Sequence, residues 1–326
     1  MNNDCNIDVE CLIISHSLDY STDLICFELK KRNIRYLRLN RDKFSGIKIS
    51  VNPAECSMRV ALNSNLIYHI NNSSLSSIYF RAPVFLRAHK NYSLEEQLYR
   101  SQWSSFIRNL VIFENALWIN HPVSTYKAEN KIYQLKKAKD VGLDIPQTIV
   151  SNHIPCFKEL KYEKLAVKSL DTALFYDNMQ ELFVYTQSVL RDELTEEQLK
   201  IAPVIMQELL EHKIDIRVTV IGKNIYPVRI FSCSVGVIGD WRREKKNLSY
   251  EPFELPEDIK KKILQLMEDL GLEFGGVDFI YANGKYYFVE VNPTGEWGWL
   301  TRTANIDIDK KIANLLCSNL RGVPSC

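Results

Sequence analysis

The residues of this chain best suited to hold a cation are Asp278, Glu290 and Asn292, two acids and an amide set in apolar, strand-like surroundings. The runs Gly276-Val277-Asp278-Phe279-Ile280 and Tyr286-Tyr287-Phe288-Val289-Glu290-Val291-Asn292-Pro293 read as short strands joined at the turn pair Asn283-Gly284. Side chains alternate across a strand, so Phe288, Glu290 and Asn292 share one face, and Val289 and Val291 the other. Register decides whether Asp278 joins them. A two-residue turn at Asn283-Gly284 opposes Asp278 to Val289, whereas a three-residue loop, Asn283-Gly284-Lys285, opposes it to Glu290 on the same face. The three-residue loop is the reading adopted. Two carboxylates and an amide oxygen then converge, and hard oxygen ligands of this kind suit Mg²⁺, which keeps several waters and is usually completed by substrate phosphates. Taken alone, an E-x-N pair is more often a solvated strand end than a metal site. The rest of the chain shifts that balance.

The elements around this hairpin follow from composition and periodicity. A length of 326 residues points to two or three domains, and 46% hydrophobic with 25% charged residues is ordinary for a soluble globular protein. With 41 basic and 40 acidic side chains the formal charge is +1, which gives no electrostatic bias toward nucleic acid. The basic cluster Arg242-Arg243-Glu244-Lys245-Lys246 is local and reads as a solvated loop unless it meets an acidic peptide or phosphates. Eight cysteines lie scattered without C-x-x-C spacing, as reduced thiols and not as a disulfide or zinc framework. The polar start lacks a signal peptide's features, and no run reaches the roughly 18 apolar residues of a membrane span. A cytoplasmic protein with no membrane partner is expected.

Residues 10–15 form an apolar run suited to a buried strand. Residues 20–32 carry Leu24, Ile25, Phe27 and Leu29 at near-helical spacing, and 34–40 alternate as a second strand. That order favours a parallel β–α–β beginning. Residues 51–70 read as a β meander, 76–83 as a strand stopped by proline, and 95–114 as a long helix with Leu98, Trp103, Phe106, Ile107, Leu110 and Phe113 toward the core. A helix over 124–142 closes at Gly142. Residues 165–170 are strand-like with Lys168 amid apolar neighbours, and 214–222 with 224–234 suggest a hairpin across Gly222-Lys223-Asn224. Residues 256–270 form an amphipathic helix with Ile259, Ile263, Leu266, Met267 and Leu270 inward.

Read in order, Asn130-Lys131, Val167-Lys168, Gln207-Glu208-Leu209-Leu210, Asp215-Ile216-Arg217, Arg229, Gly276-Val277-Asp278 and Glu290-Val291-Asn292-Pro293 resemble the landmarks of the ATP-grasp superfamily. Phe80-Arg81-Ala82-Pro83, Trp118-Ile119-Asn120-His121-Pro122 and Asn292-Pro293-Thr294-Gly295-Glu296-Trp297 make the chain most similar to its microviridin or graspetide-type peptide ligases. The resemblance spans nearly the whole chain. It implies a mixed α/β and α+β architecture, an ATP-grasp fold with an N-terminal Rossmann-like pre-ATP-grasp domain. The implied division is 1–122 for that domain, 123–206 for a central lobe and 207–326 for a C-terminal lobe.

The resemblance also implies roles. Lys131 and Lys168 would neutralise the triphosphate of ATP as compact charges. A buried Lys168 is costly without an anion opposite it. Main-chain groups of the segment beginning at Gln207, those of Glu208 and Leu210, would read the adenine edge, with Glu211 on the ribose. Asp215, Arg217 and Arg229 would be the catalytic set, the arginines offering fixed donors to phosphoryl oxygens. Mg²⁺ would bridge Asp278, Glu290 and Asn292 to the phosphates. The implied activity phosphorylates a carboxylate to an acylphosphate and joins it to a side-chain hydroxyl or amine of a ribosomal precursor peptide, whose leader and acidic core are the partner. Relatives suggest a homodimer. Ligation of free amino acids and non-catalytic nucleotide or peptide binding are the competing readings. The chain departs from the family pattern in three places: 169–175 contains no glycine for a phosphate flap, Glu296 stands where the cross-linkers tend to carry Gln, and Phe80-Arg81-Ala82-Pro83 has one arginine.

Overall fold

The expected β–α–β beginning forms from the strand Cys11–Ser15, the helix Tyr20–Lys31 and the strand Tyr36–Asn40, with the two strands paired in parallel. The computed structural model describes residues 5–63, 66–81, 92–171, 174–177, 180–183, 186–232, 239, 241 and 248–320. Residues 242–246 of the basic cluster, Ala82 and Pro83, and Thr172 and Ala173 of the glycine-free segment lie outside the described residues. Two units divide the chain, one of 1–126, 271–274 and 294–326, the other of 127–270 and 275–293.

In the first unit a parallel sheet runs in the order Tyr36–Asn40, Cys11–Ser15, Ser77–Phe80, Leu117–Ile119. Cys11–Ser15 is buried at every position, which is why it reads as an unbroken apolar run and not as an alternating one. Asp19 caps the following helix by accepting from the Thr22 amide. The meander forms from Lys48–Asn52, Ser57–Asn63 and Leu66–Asn71, antiparallel, with Cys5–Asp8 added in parallel. The long helix spans Leu94–Asn109 and tightens into a 3₁₀ turn at Leu110–Ile112. Leu98 corrects the expected core stripe, being 61% exposed. Packing begins further along, where Trp103 stacks on Phe44 with ring centroids 4.4 Å apart.

Two buried polar side chains tie distant segments of this unit together. Arg81 donates through Nε to Asp19 at 3.2 Å, through Nη2 to Glu296 at 2.7 Å, and through Nη1 to the carbonyls of Gly295, at 2.8 Å, and Thr294. The other oxygen of Glu296 accepts from the amides of Trp297 and Gly298, at 3.1 and 2.8 Å. A glutamine at 296 would supply no countercharge to this buried arginine, so the acid is the residue this network requires. Beside it Trp297 donates to the Tyr79 hydroxyl at 3.2 Å, and burial pushes that phenol up to about 12. Asn120 is 1% exposed, donates to the Phe274 carbonyl and accepts from the amides of Glu273 and Phe274. The segment 118–122 therefore anchors the start of the strand Phe274–Ala282.

The second unit is built on antiparallel sheets. One runs in the order Gln187–Leu190, Lys164–Lys168, Val204–Glu208, Thr148–Ser151 over a core that includes Phe157, Leu165 and Met206. A small ribbon pairs Leu174–Asp177 with Gln180–Phe183. The largest sheet runs Ser249–Pro252, Asn224–Phe231, Ile214–Ile221, Phe274–Ala282, Lys285–Asn292. The helix Glu257–Leu270 buries all five residues expected inward. Its Met267 passes so near Gly275 that a Cβ there would lie 2.8 Å from the methionine Cε. Among the described residues no helix is long and apolar enough to cross a membrane.

The helix expected over 124–142 is two helices, Pro122–Ala128 and Lys131–Asp140, broken at Glu129 and Asn130. The break starts a new helix at Lys131 with Asn130 as its N-cap, so the lysine gains a place set by a helix end. Glu129 in the break is held up to about 7 by burial, with Asp171 adding like-charge repulsion. Its folded value exceeds the unfolded one, so between about pH 4.5 and 7 the folded chain keeps a proton the unfolded chain releases, and stability falls as pH rises through that window. Glu129→Gln is expected to flatten that slope and to raise the melting temperature above pH 7, measured by thermal denaturation across pH. An unchanged slope would contradict the assignment.

Candidate active site

The hairpin carrying Asp278, Glu290 and Asn292 reaches the expected register by a different route. Ala282 pairs with Lys285, so the turn is the two residues Asn283 and Gly284, both at positive φ (51° and 74°) as a tight hairpin turn of this kind requires. This corrects the three-residue loop. Pairing continues through Phe279 opposite Phe288, then slips between Asp278 and Phe279, leaving Val289 as the extra residue of a β-bulge. Beyond the bulge Asp278 opposes Glu290, Val277 opposes Val291 and Gly276 opposes Asn292. Asp278, Glu290 and Asn292 thus share one face, buried, half-buried and exposed in turn.

The neighbouring strand brings cations to that face. Arg217 donates through Nη1 to Asp278 at 3.0 Å, with both residues at most 7% exposed. Its guanidinium lies where a side chain at position 276 would be: a Cβ on Gly276 would sit 2.0 Å from Nη2. The glycine is therefore part of the arginine's seat. Nε of Arg217 is buried without a hydrogen-bond partner among the described residues, a donor that an anionic oxygen would satisfy. Two residues back, Asp215 accepts from the buried ammonium of Lys213.

A cavity of about 640 Å³ opens beside this face, within the range of nucleotide-sized pockets. Its lining includes Lys168, the whole of 207–213, Asp215 and Asp278, so Lys168, Gln207, Glu208, Leu210, Glu211, Asp215 and Asp278 are brought together. Gln207 is buried and donates to the Thr148 hydroxyl at 2.9 Å. The Glu208 amide is committed to the Gln147 carbonyl at 2.9 Å. Glu211 pairs with Lys164 at 3.2 Å on the half-exposed rim. Lys131 donates to the carbonyl of Ser169, next to Lys168, at 3.0 Å.

Arg229 is not brought to this face. It opposes Ile216, whose side chain alternates with those of Asp215 and Arg217, so it lies on the other side of the sheet. There it pairs across strands with Glu251, each side chain nearly half exposed. Such a pair contributes about 0 to 1 kcal/mol to stability. Lys213 and Gln134 carry no signal in the sequence, and Gly276 stands there only as part of the Gly276-Val277-Asp278 landmark.

Comparison with known proteins bears on the fold that carries these residues. Residues 180–316 match the RimK-like ATP-grasp domain. Over 104 residues the chain is 30% identical to the coenzyme gamma-F420-2:alpha-L-glutamate ligase of Methanococcus maripaludis, a match covering 29% of this chain and 36% of that protein, so the chain spans about a third of the length of the curated relative. Among solved structures, a Chryseobacterium gregarium RiPP-associated ATP-grasp ligase, in complex with ADP and a leader and core peptide, is 25% identical with a TM-score of 0.82, covering 95% of this chain and 97% of that one. Macrocyclase MdnC of Microcystis aeruginosa MRC, bound with precursor peptide MdnA, is 23% identical with a TM-score of 0.80, covering 95% and 100%. The chain therefore has a mixed α/β ATP-grasp fold, and its residues 180–316 are similar to the RimK-like ATP-grasp domain. Its structural neighbours include a RiPP-associated ATP-grasp ligase and a macrocyclase.

Gly276 adopts no left-handed backbone conformation, so Gly276→Ala is expected to fold while forcing the Arg217 guanidinium off Asp278. A hydrogen bond to a charged group contributes about 1.5–3 kcal/mol, so ATP affinity measured by titration calorimetry should fall about 10-fold or more. Wild-type affinity in that variant would place Arg217 outside the nucleotide site.

Proposed function

We propose that this protein is an ATP- and Mg²⁺-dependent ligase that activates a carboxylate as an acylphosphate and joins it to a side-chain hydroxyl or amine of a ribosomal precursor peptide, forming a macrocyclic ester or amide. The observation that carries the reading is the direct opposition of Asp278 and Glu290, with Arg217 on Asp278, at the wall of a cavity of about 640 Å³. Two carboxylates and an amide are too few for a closed protein cage, and hard oxygens left to be completed by phosphates fit Mg²⁺. Asp278, Glu290 and Asn292 would hold it. Bound there, the ion would neutralise phosphate charge and align the terminal phosphoryl group.

The chain's own groups then divide the work. Lys168, and Lys131 beside the carbonyl of Ser169, supply compact positive charge for the triphosphate. The main chain at Glu208 and Leu210 takes the adenine edge with Glu211 on the ribose, while Asp215 in the same cavity belongs with Arg217 in the catalytic set. Arg217, with its unpaired Nε, offers a fixed donor as negative charge builds on the transferred phosphoryl group. Arg229, on the other face of the sheet against Glu251, has no part in this set. The nucleophile of the peptide then displaces phosphate from the acylphosphate, so for each bond formed one ATP becomes ADP and phosphate and the peptide loses the elements of one water, which leave in the phosphate.

The same reading includes a division into a pre-ATP-grasp domain of 1–122 and lobes of 123–206 and 207–326, a homodimer, and a cytoplasmic location. The last is supported by Cys11, Cys26, Cys56, Cys156 and Cys317 standing as free thiols. The leader and acidic core of the peptide are the partners, with the basic run of Arg242, Arg243, Lys245 and Lys246 as the candidate core contact. A second reading, addition of a free amino acid, is favoured by the likeness to a glutamate ligase. It predicts ADP release with a small amine and a carboxylate and no peptide.

Incubation with ATP, Mg²⁺ and a short peptide encoded beside the gene should lower the peptide mass by one water per bond. Glu290→Gln should keep the fold and abolish that change. An unaltered peptide mass with intact ATP binding excludes this substrate class, and ligation preserved in Glu290→Gln contradicts the metal assignment.

A further inference from the structure

We infer that Gln134 is a positioning residue for the metal strand, setting the spacing of Glu290 and Asn292 by holding both peptide groups of Val291 between them; the inference rests on the ligase reading above. The strand Lys285–Asn292 ends its sheet, so the main-chain groups of its outer edge need partners from elsewhere. At Phe288 the partner is backbone, the amide donating to the Asp144 carbonyl at 2.8 Å. At Val291 it is a side chain. The Val291 amide donates to Oε1 of Gln134 at 3.0 Å, and Nε2 of Gln134 donates to the Val291 carbonyl at 2.8 Å. The same Nε2 also donates to the carbonyl of Ala128, at the end of the preceding helix. Gln134 is 3% exposed. Its primary amide thus substitutes for one residue of a missing strand.

The position of this contact gives it consequence beyond closing an edge. The amide it accepts belongs to the peptide group that follows Glu290, and the carbonyl it binds belongs to the peptide group that precedes Asn292. Both groups turn about the bonds that aim those two side chains, so fixing them fixes where the two oxygens point. The contact also falls two residues past the bulge at Val289, where the irregular ladder constrains the strand least. Gln134 lies one helical turn after Lys131, whose ammonium donates to the Ser169 carbonyl at 3.0 Å. One rigid helix therefore ties a phosphate-side cation to the metal-side oxygens.

The chemistry demands an amide. Methionine matches the length of glutamine but leaves the Val291 amide and carbonyl without partners. Glutamate keeps an acceptor for the Val291 amide and sets a carboxylate against two carbonyls. Outer contacts that orient metal ligands typically change metal affinity 10- to 100-fold when removed.

The test measures ADP binding to the full chain by calorimetry, in EDTA and over a Mg²⁺ series, for wild type, Gln134→Met and Gln134→Glu. Lys137→Met serves as control, since it removes the 3.4 Å pair with Asp269 from the same helix without touching the metal strand. Both Gln134 variants should need about 10- to 100-fold more Mg²⁺ to tighten ADP binding, while their affinity in EDTA stays within twofold of wild type. Lys137→Met should keep the wild-type Mg²⁺ dependence. Gln134→Glu keeps the volume and one hydrogen bond, so it carries the test if Gln134→Met does not fold. A folded Gln134 variant with wild-type Mg²⁺ dependence, or Lys137→Met shifted as far as they are, overturns the inference and leaves the ligase reading standing. A wild-type protein whose ADP binding ignores Mg²⁺ overturns both.

Discussion

One surplus residue in a strand determines where the chemistry falls. The turn at Asn283 and Gly284 alone would set Asp278 against the apolar Val289 and leave Glu290 on the other face. The bulge at Val289 absorbs one position and brings the two carboxylates level. Everything else at the site answers to that alignment. Gly276 leaves room for Arg217, Arg217 meets Asp278, and Gln134 fixes the strand just beyond the irregular step. Carboxylates brought together without a nearby cation would repel, and a buried arginine without a carboxylate would be costly, so each group makes the other tenable.

The supporting framework serves the same end at longer range. Asn120 secures the start of the strand that carries Asp278, and Arg81 with Glu296 secures the segment that follows the strand carrying Glu290. Buried polar groups are costly unless hydrogen-bonded, and both side chains have their partners. Arg81, Asn120 and Glu296, read in the sequence as parts of family motifs, are thus chain anchors in the fold, each bonded to backbone groups, with Arg81 and Glu296 also paired to each other.

Much of this was legible before any coordinates, and the reasons differ by element. The helix at 257–270 shows all five inward residues because its stripe follows the 3.6 period without interruption. The parallel start was readable from an apolar run, a helix and an alternating run in close succession. The opposition of Asp278 and Glu290 was reached with the wrong loop, because a bulge and a longer turn shift register by the same single residue. The split at Glu129 and Asn130 left no mark, since both residues also suit a helix surface. Leu98 matched the helical period yet lies before the point where packing begins. Arg229 follows from the hairpin register: the two-residue turn at Gly222 and Lys223 places it opposite Ile216, the face away from Arg217. Gln134 could not be placed from sequence, because its partners are backbone atoms more than 150 residues away.

The most direct measurement is a crystal structure of the protein with Mn²⁺ and a non-hydrolysable ATP analogue, the ion located by its anomalous signal. The account predicts one or more peaks within coordination distance of Asp278 and Glu290 and of the analogue's phosphates, with the adenine against the main chain near Leu210. An ion bound elsewhere, away from both Asp278 and Glu290, would contradict it.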